Sequence, residues 1–405
     1  MTSAKELRDN LVEPTIEEEE AVLHFLEKRY HPAMVKYPVP VDWACRSRFE
    51  KLLLYLDNSS SPGYPYLREK PTIGDWLGAD GIGGFNPMQV ERLWYDVQLV
   101  LAGGYEHLFR VFVKDEAHKK AKADTKRWRL IVASSLPVQM VWRMLFHEQN
   151  LALNDCAAEI PSKHGFVHCY GGWRQFLAIA KTQGMKFSRD ISGWDVGAPG
   201  YIFRIVGKLR QRWSGVTASW IAVQEMMYRD AYEESNLIFS NGLVVRQQFS
   251  GFMKSGLFNT ISDNSISMVG IHALACLRAP IPIGHISATG DDVIQSTISD
   301  TYLDELGKLG CRVKEVLNHI EFMGINYSTG KPEPMYLQKH LYNVCLKTDV
   351  LEELLDAYCR MYAESKYFPF WAKLAKDLGI SVKSQRYYQF WYSSPMAKVL
   401  QSWLA

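Results

Sequence analysis

Four aspartates in two short segments carry the first chemical signal in the chain. "RDISGWDV" holds Asp190 and Asp195, and "HISATGDDVIQS" holds Asp291 and Asp292 behind Gly290. Adjacent residues on a straight strand project to opposite faces, so Asp291 and Asp292 can reach one site only from a tight turn. Thr289-Gly290-Asp291-Asp292, between strands ending at Ala288 and starting at Val293, is such a turn. With Asp190 at the end of the strand read from "GMKFSRDISGWDV", three carboxylates become available. Such hard oxygen ligands suit two Mg²⁺ ions about 3.5–4 Å apart, a pair that acidifies an attacking hydroxyl and stabilises the leaving oxygen of phosphoryl transfer. Asp195 lies beyond the strand in a turn through Gly193, so one carboxylate can serve chemistry while the other reads a ligand. Taken singly, both segments are better explained as plain turns, one a hairpin tip and one a glycine turn beside a buried Trp194.

Two further segments could bind what such carboxylates would act on. In "SGFMKSGLFNTISDNSISM", Ser255-Gly256 is expected to open a helix on which Thr260 and Asn264, at i and i+4, share a face. Uncovered backbone donors and two neutral hydrogen-bonding side chains suit a sugar or a phosphate. An ordinary serine cap followed by solvated polar residues explains that segment better when it stands alone. "VKDEAHKKAKADTKRWRL" belongs to a stretch with eight Lys/Arg between Arg110 and Arg129, against Asp115, Glu116 and Asp124. Arg127 and Arg129, two apart, project to the same side of a strand, and paired guanidiniums match triphosphate oxygens. A solvated charged loop is the default for such a run, a default weakened by Trp128 in a β-rich context.

The elements that must position these groups follow from periodicity and turn signals. "EPTIEEEEAVLHFLEKRYHP" reads as a helix capped by Thr15 and ended by Pro32. Strands are expected at Phe109–Val113 and Trp128–Ala133 around the basic connector, followed by a helix at "MVWRMLFHEQNLAL". "RIVGKLRQRW" and "AVQEMMYRDAY" look helical, and "NLIFSNGLVVRQQFS" is a hairpin turning at Asn241-Gly242. A helix runs from about Asn259 to Leu277, "TYLDELGKLG" is an amphipathic helix closed by Gly310, and "CRVKEV" and "EFMGINYS" are strands. From Pro332 onward, helix-like and aromatic-rich stretches alternate and could form a small separate lobe.

Bulk properties narrow the class. A chain of 405 residues, 47% hydrophobic and 13% aromatic, is a well-packed globular protein of one large multi-lobed domain or a few subdomains. The net charge of +2 makes any nucleic-acid affinity a matter of local clustering. Seven scattered cysteines without a CxxC favour free thiols over zinc. No run of about 18 apolar residues reads as a membrane span, and the first residues lack a signal core.

The order of the segments resembles that of viral RNA-dependent RNA polymerases. "SPGYPY", "VKDEAHKKAKADTKRWRLIVAS", "RDISGWD", "SGLFNTISDN", "ATGDDV", "LGKLGCRVKEV" and "EFMGINY" fall in the family's sequence, and the resemblance covers about residues 60 to 330. "FVKDEAHKKAKADTKRWRLIVASSLPVQMVWRMLFHEQN" is similar to polymerases of sobemovirus and polerovirus relatives among positive-strand RNA viruses. The resemblance implies an α/β (α+β) right-hand fold: N-terminal region and fingers over 1–182, palm over 183–331 with a fingers hairpin inserted near 236–254, and a small helical thumb over 332–405. The palm would be an antiparallel sheet flanked by helices.

It also implies roles for matching positions. Asp190 and Asp291 would bind two Mg²⁺ ions, with Mn²⁺ able to substitute and Asp292 assisting. Asp195 and Asn264 would recognise the ribose 2′-hydroxyl, supported by Ser255 and Thr260. Lys114, Arg127 and Arg129 would neutralise the incoming triphosphate, and Lys314 is the candidate general acid, with Lys308 nearby. Ser61, Pro62, Gly63 and Tyr64, together with Gly256, would contact RNA. The expected partners are RNA template and product, ribonucleoside triphosphates, and a genome-linked protein primer or other viral replication proteins. The expected place is the host cytoplasm, in a replication complex recruited to membranes through partners. A reverse transcriptase and a catalytically silent RNA-binding scaffold are the alternatives; Asp195 and Asn264 argue for ribonucleotides, and the retained aspartates argue for catalysis.

Overall fold

The computed structural model describes residues 10–116, 120–126 and 128–404, apart from the side chains at 121, 403 and 404. Arg127 lies outside the described residues. In chain order the strands are β1 (Phe109–Val113), β2 (Leu130–Ala133), β3 (Phe187–Ile191), β4 (Asn236–Phe239), β5 (Val244–Arg246), β6 (Ile286–Thr289), β7 (Asp292–Gln295), β8 (Val313–Leu317), β9 (Glu321–Phe322), β10 (Ile325–Asn326) and β11 (Glu333–Pro334). Helices fill most of the space between them.

The sheet that bears the aspartates has the order β6-β7-β3-β8 and is antiparallel throughout. Side chains alternate across a strand, and this sheet uses the alternation to divide two cores. Val293 buries into the larger core with Ile286 and Ala288, whereas its neighbour Ile294 buries into the second. The Thr260–Arg278 helix packs on the larger-core side, and fourteen of its positions from Asn264 to Leu277 hold no Lys, Arg, Asp or Glu, so it suits burial almost all round.

The second core joins Trp173 and Phe176 of the Gly172–Thr182 helix to Phe322, Ile325 and Tyr327 around the β9–β10 turn. Leu355, Tyr358, Trp371 and Tyr388 from the C-terminal helices complete it. It therefore crosses the expected divisions at 182 and 331, because helix and hairpin supply apolar surface that the last helices need to cover. The other large sheet, β2-β1-β4-β5, pairs β1 with β4 in parallel, so the hairpin at 236–246 docks on strands from far earlier in the chain.

Three local expectations need correction. The first helix runs Ile16–Met34, past Pro32, since Ala33 and Met34 are buried and hold the last turn in place. The strand expected from Trp128 begins at Leu130. Ser255-Gly256 does not open the following helix: that helix starts at Thr260, and Ser255-Gly256 is a loop docked on β2. Gly256 N–H donates to the Val132 carbonyl at 2.9 Å, and a Cβ on Gly256 would stand 2.7 Å from that same oxygen. Only glycine permits so close a backbone approach.

Candidate active site

The β3–β7 register pairs Arg189 with Val293, so the next residue, Asp190, runs alongside the start of β7 at Asp292. On its other side Asp190 pairs with Glu315 of β8, and the register shifts between Asp190 and Ile191. Such an irregularity bends a strand and re-aims its side chains. Between β6 and β7, Gly290 takes the turn at φ +62°. Its N–H donates to Ser265 Oγ at 2.9 Å, tying the tip to the Thr260–Arg278 helix. Nothing in the sequence singled out Ser265; only helix packing reveals that hydroxyl as the anchor of the turn.

The two neighbouring aspartates are held differently. Asp292 Oδ2 accepts the Met323 N–H at 2.5 Å, from a turn in which Met323 itself has φ +53°. Asp291 stands at the tip, the residue open to solvent while its carboxylate is crowded by the surrounding groups. Lys314 Nζ lies 2.6 Å from Asp190 Oδ2, an ion pair open to solvent on both sides.

The strand register brings Asp190 and the 291–292 turn to one end of the sheet, where their charges bear on one another. Burial pushes Asp292 up to about 7, opposed by the Met323 N–H and reinforced by Asp291, Asp190 and Glu321. Asp195 is pushed up to about 6, by burial and then by Asp291, with Arg129 opposing. Asp291 is raised by burial and by Asp190, again with Arg129 opposing. Asp291, Asp292 and Asp195 thus each carry a neighbouring carboxylate among the causes that raise them, and a crowd of like charges favours neutral forms. Glu321 and Tyr336 join this neighbourhood without having been flagged in the sequence; the Tyr336 phenol is raised by burial and then by Asp292, Asp190 and Glu321. Among the described residues no three acidic, histidine or cysteine side chains already close on a single metal position.

Beside the carboxylates lies a set of neutral hydrogen-bonding groups. Gly193, at φ +65°, turns the chain from β3 into the short Trp194–Gly197 helix. Asp195 is anchored through its carbonyl, which accepts the Met253 N–H at 2.8 Å. Trp194 Nε1 donates to Asn264 Oδ1 at 2.8 Å. Thr260 turns its hydroxyl back to the Lys254 and Leu257 carbonyls, at 2.9 and 2.8 Å, so it closes the preceding loop rather than joining Asn264 as a second reader. Ser255 Oγ accepts the Val132 N–H at 3.2 Å and fastens the loop to β2.

The basic residues gather on an acid. Glu116 takes Lys114 at 3.2 Å, Arg129 at 3.4 Å and Lys339 at 3.5 Å, the last from the Leu337–Leu346 helix and not anticipated. Lys114 and Arg129 face each other because the Lys114 N–H donates to the Arg129 carbonyl, prolonging the β1–β2 ladder. In the 61–66 segment, Pro62 and Gly63 are buried while Ser61 is exposed and Tyr64 partly so. The Pro62 carbonyl accepts the Leu136 N–H, and a Cβ on Gly63 would meet the Ser134 carbonyl at 2.3 Å. Pro62 and Gly63 therefore fix the loop, and Ser61 and Tyr64 are its accessible members.

The family model for viral RNA-dependent RNA polymerases matches residues 11–337. The chain belongs to that family. Among relatives of this polymerase family, the chain is 31% identical over 310 residues to the replicase polyprotein P2AB of Southern cowpea mosaic virus, covering 67% of this chain and 30% of the relative. It is 28% identical over 316 residues to the RNA-directed RNA polymerase of Mushroom bacilliform virus, covering 71% and 74%. A protein of Poinsettia latent virus is 29% identical over 280 residues, 64% of this chain and 25% of the relative. The chain thus spans only about a quarter to a third of the longer relatives. In three dimensions it resembles the Sicinivirus 3Dpol RNA-dependent RNA polymerase, with a TM-score of 0.71 and 16% identity over 95% of this chain and 87% of the other. The right-hand fold inferred from motif order is therefore the fold of this polymerase-family chain.

Proposed function

We propose that the chain synthesises RNA on an RNA template: a 3′-hydroxyl attacks the α-phosphate of a ribonucleoside triphosphate, and pyrophosphate leaves. The observation that carries this reading is the convergence of Asp190, Asp291 and Asp292 at one end of the palm sheet, beside Asp195 and Asn264. Carboxylates that oppose one another's ionisation suit a divalent cation, and oxygen donors suit a hard one. Asp190 and Asp291, with Asp292 assisting, would hold two Mg²⁺ ions or Mn²⁺ in their place; when bound, these would acidify the 3′-hydroxyl and neutralise charge on the reacting phosphate.

The remaining roles fall to the chain's own side chains. Asp195 accepts a hydrogen bond from the ribose 2′-hydroxyl, and Asn264 completes the contact. Arg129, Lys114 and Arg127 draw the triphosphate in, with Glu116 holding the first two ready. Lys314, protonated and paired with Asp190, is the candidate donor of a proton to the departing pyrophosphate. Ser61, Tyr64 and the Gly256 loop border the RNA path.

The partners in this reading are RNA template and product, ribonucleoside triphosphates, and a genome-linked protein primer or other viral replication proteins. The polyprotein name of one relative supports association with further viral products. Among the described residues no helix is long and apolar enough to cross a membrane. The resemblance to viral polymerases is what suggests a replication complex in the host cytoplasm, recruited to membranes through partners. Template-dependent extension with Mg²⁺ or Mn²⁺ tests the proposal, with Asp291→Ala as control. Wild type and control equally inert, both still binding RNA, would make the chain a scaffold instead.

A further inference from the structure

A ribose hydroxyl both donates and accepts, so a site that reads it fully needs one group of each kind. Asp195 as a carboxylate only accepts. Asn264 can do either, depending on which end of its amide faces the cleft, and a free amide could turn over. Here it cannot turn without loss. An indole N–H only donates, so the amide atom 2.8 Å from Trp194 Nε1 has to be the oxygen. The amide nitrogen is then directed elsewhere, and among the described residues no protein acceptor takes it.

Trp194 is itself immobile. It is 2% exposed, sits directly before Asp195, and follows Gly193, whose left-handed φ of +65° swings the ring inward as the carboxylate turns outward. On the opposite side, Asn264 is 5% exposed on a helix whose neighbouring Asp263 is clamped by Arg210, Tyr228 and Tyr232. The helix cannot rotate to relax the contact.

We infer that Trp194 is the positioning residue for ribose selection: its indole N–H locks the Asn264 amide with the nitrogen available to the 2′-hydroxyl, opposite the accepting Asp195. The inference rests on the polymerase reading and on Asp195 and Asn264 meeting the sugar. Trp194 touches no substrate; it sets the polarity of the residue that does. Without the indole N–H both amide orientations become accessible, and the flipped one offers a second acceptor where a donor is needed.

The test is the ratio of kcat/KM for a ribonucleoside triphosphate to that for its 2′-deoxy counterpart, measured on a defined RNA template. A ratio within one protein is independent of how much of that protein is folded, so packing losses cancel. Trp194→Phe, which keeps a buried ring and removes the N–H, should lower the ratio about tenfold, the scale of one hydrogen bond. Asn264→Ala should lower it at least as far, and adding Trp194→Phe to Asn264→Ala should lower it no further. A Trp194→Phe ratio equal to wild type, with Asn264→Ala still collapsed, makes Trp194 a packing residue and overturns the inference while leaving the ribose reading intact. Unchanged ratios in Asn264→Ala and Asp195→Ala alike would remove the ribose reading and the inference with it.

Discussion

Two acidic sites sit close together in this molecule and are treated in opposite ways. Asp263 is fully buried, yet its carboxylate accepts from Arg210 at 2.8 Å, Tyr228 at 2.9 Å and Tyr232 at 3.1 Å. Arg210 in turn donates to Gln149, Asn150 and Ser262. Both charged groups of the Asp263–Arg210 pair are thus held by several partners, and the cluster joins four helices. Asp190, Asp291, Asp292 and Asp195 have the reverse condition: close to one another and partly open to solvent, with Arg129 acting on Asp195 and Asp291 only through space. Among the described residues the one ion pair to these four acids is Lys314 on Asp190. Charge balanced inside the protein builds structure; charge left unbalanced at a rim is available for a ligand.

That contrast can be broken at either end. The largest effect is expected from Asp291→Ala, which should cut RNA synthesis by about a thousandfold or more, the scale of several kcal/mol of lost charge stabilisation. Its melting temperature should not fall, and in chelator Asp291→Asn should melt above wild type, because an unpaired charge has been removed. A drop in melting temperature as large as the loss of activity would show the acidic rim to be structural after all.

Arg210→Met should do the converse. Leaving Asp263 buried without its cation costs about 3–5 kcal/mol, read as a lower midpoint in denaturant. Near-normal kcat in the fraction that stays folded would sharpen the division between the sites. Gly256→Ala comes next: its new methyl meets the Val132 carbonyl, and we expect about 1–3 kcal/mol of lost stability from strain where this loop docks on β2. Arg129→Ala should raise the KM for nucleotides about tenfold while changing RNA affinity little, as loss of one charge-assisted contact would. The reverse pattern would move Arg129 to the RNA path. Smallest is Ser265→Ala, which takes the acceptor from the Gly290 N–H; a fall in kcat of a few-fold at unchanged melting temperature is expected, on the scale of one neutral hydrogen bond.

The same contrast explains what could be seen in advance. Asp190, Asp195 and the Gly290-Asp291-Asp292 turn were legible because turn chemistry and strand alternation are local, and because their order matched a family. The hairpin at Asn241-Gly242 and the helix capped by Thr15 were legible for the same reason. Ser265, Glu321, Tyr336 and Lys339 were not, since each matters only through a neighbour remote in sequence. The misplaced helix start at Ser255 is instructive: serine and glycine are ordinary capping residues, and only the approach of β2 shows that this pair serves a backbone junction instead.

Residue type and order alone therefore determined the family, the right-hand architecture and the identity of the acidic groups. Periodicity and turn preference are properties of short segments, and motif order is a property of the chain. Tertiary structure alone decided which acids stay unbalanced, which side of the sheet each one faces, and what holds every turn in its orientation. Those outcomes depend on distances between residues far apart in the chain, such as Asp190 and Lys314, 124 positions apart, or Trp194 and Asn264, 70 apart, and charge balance exists only once those distances do.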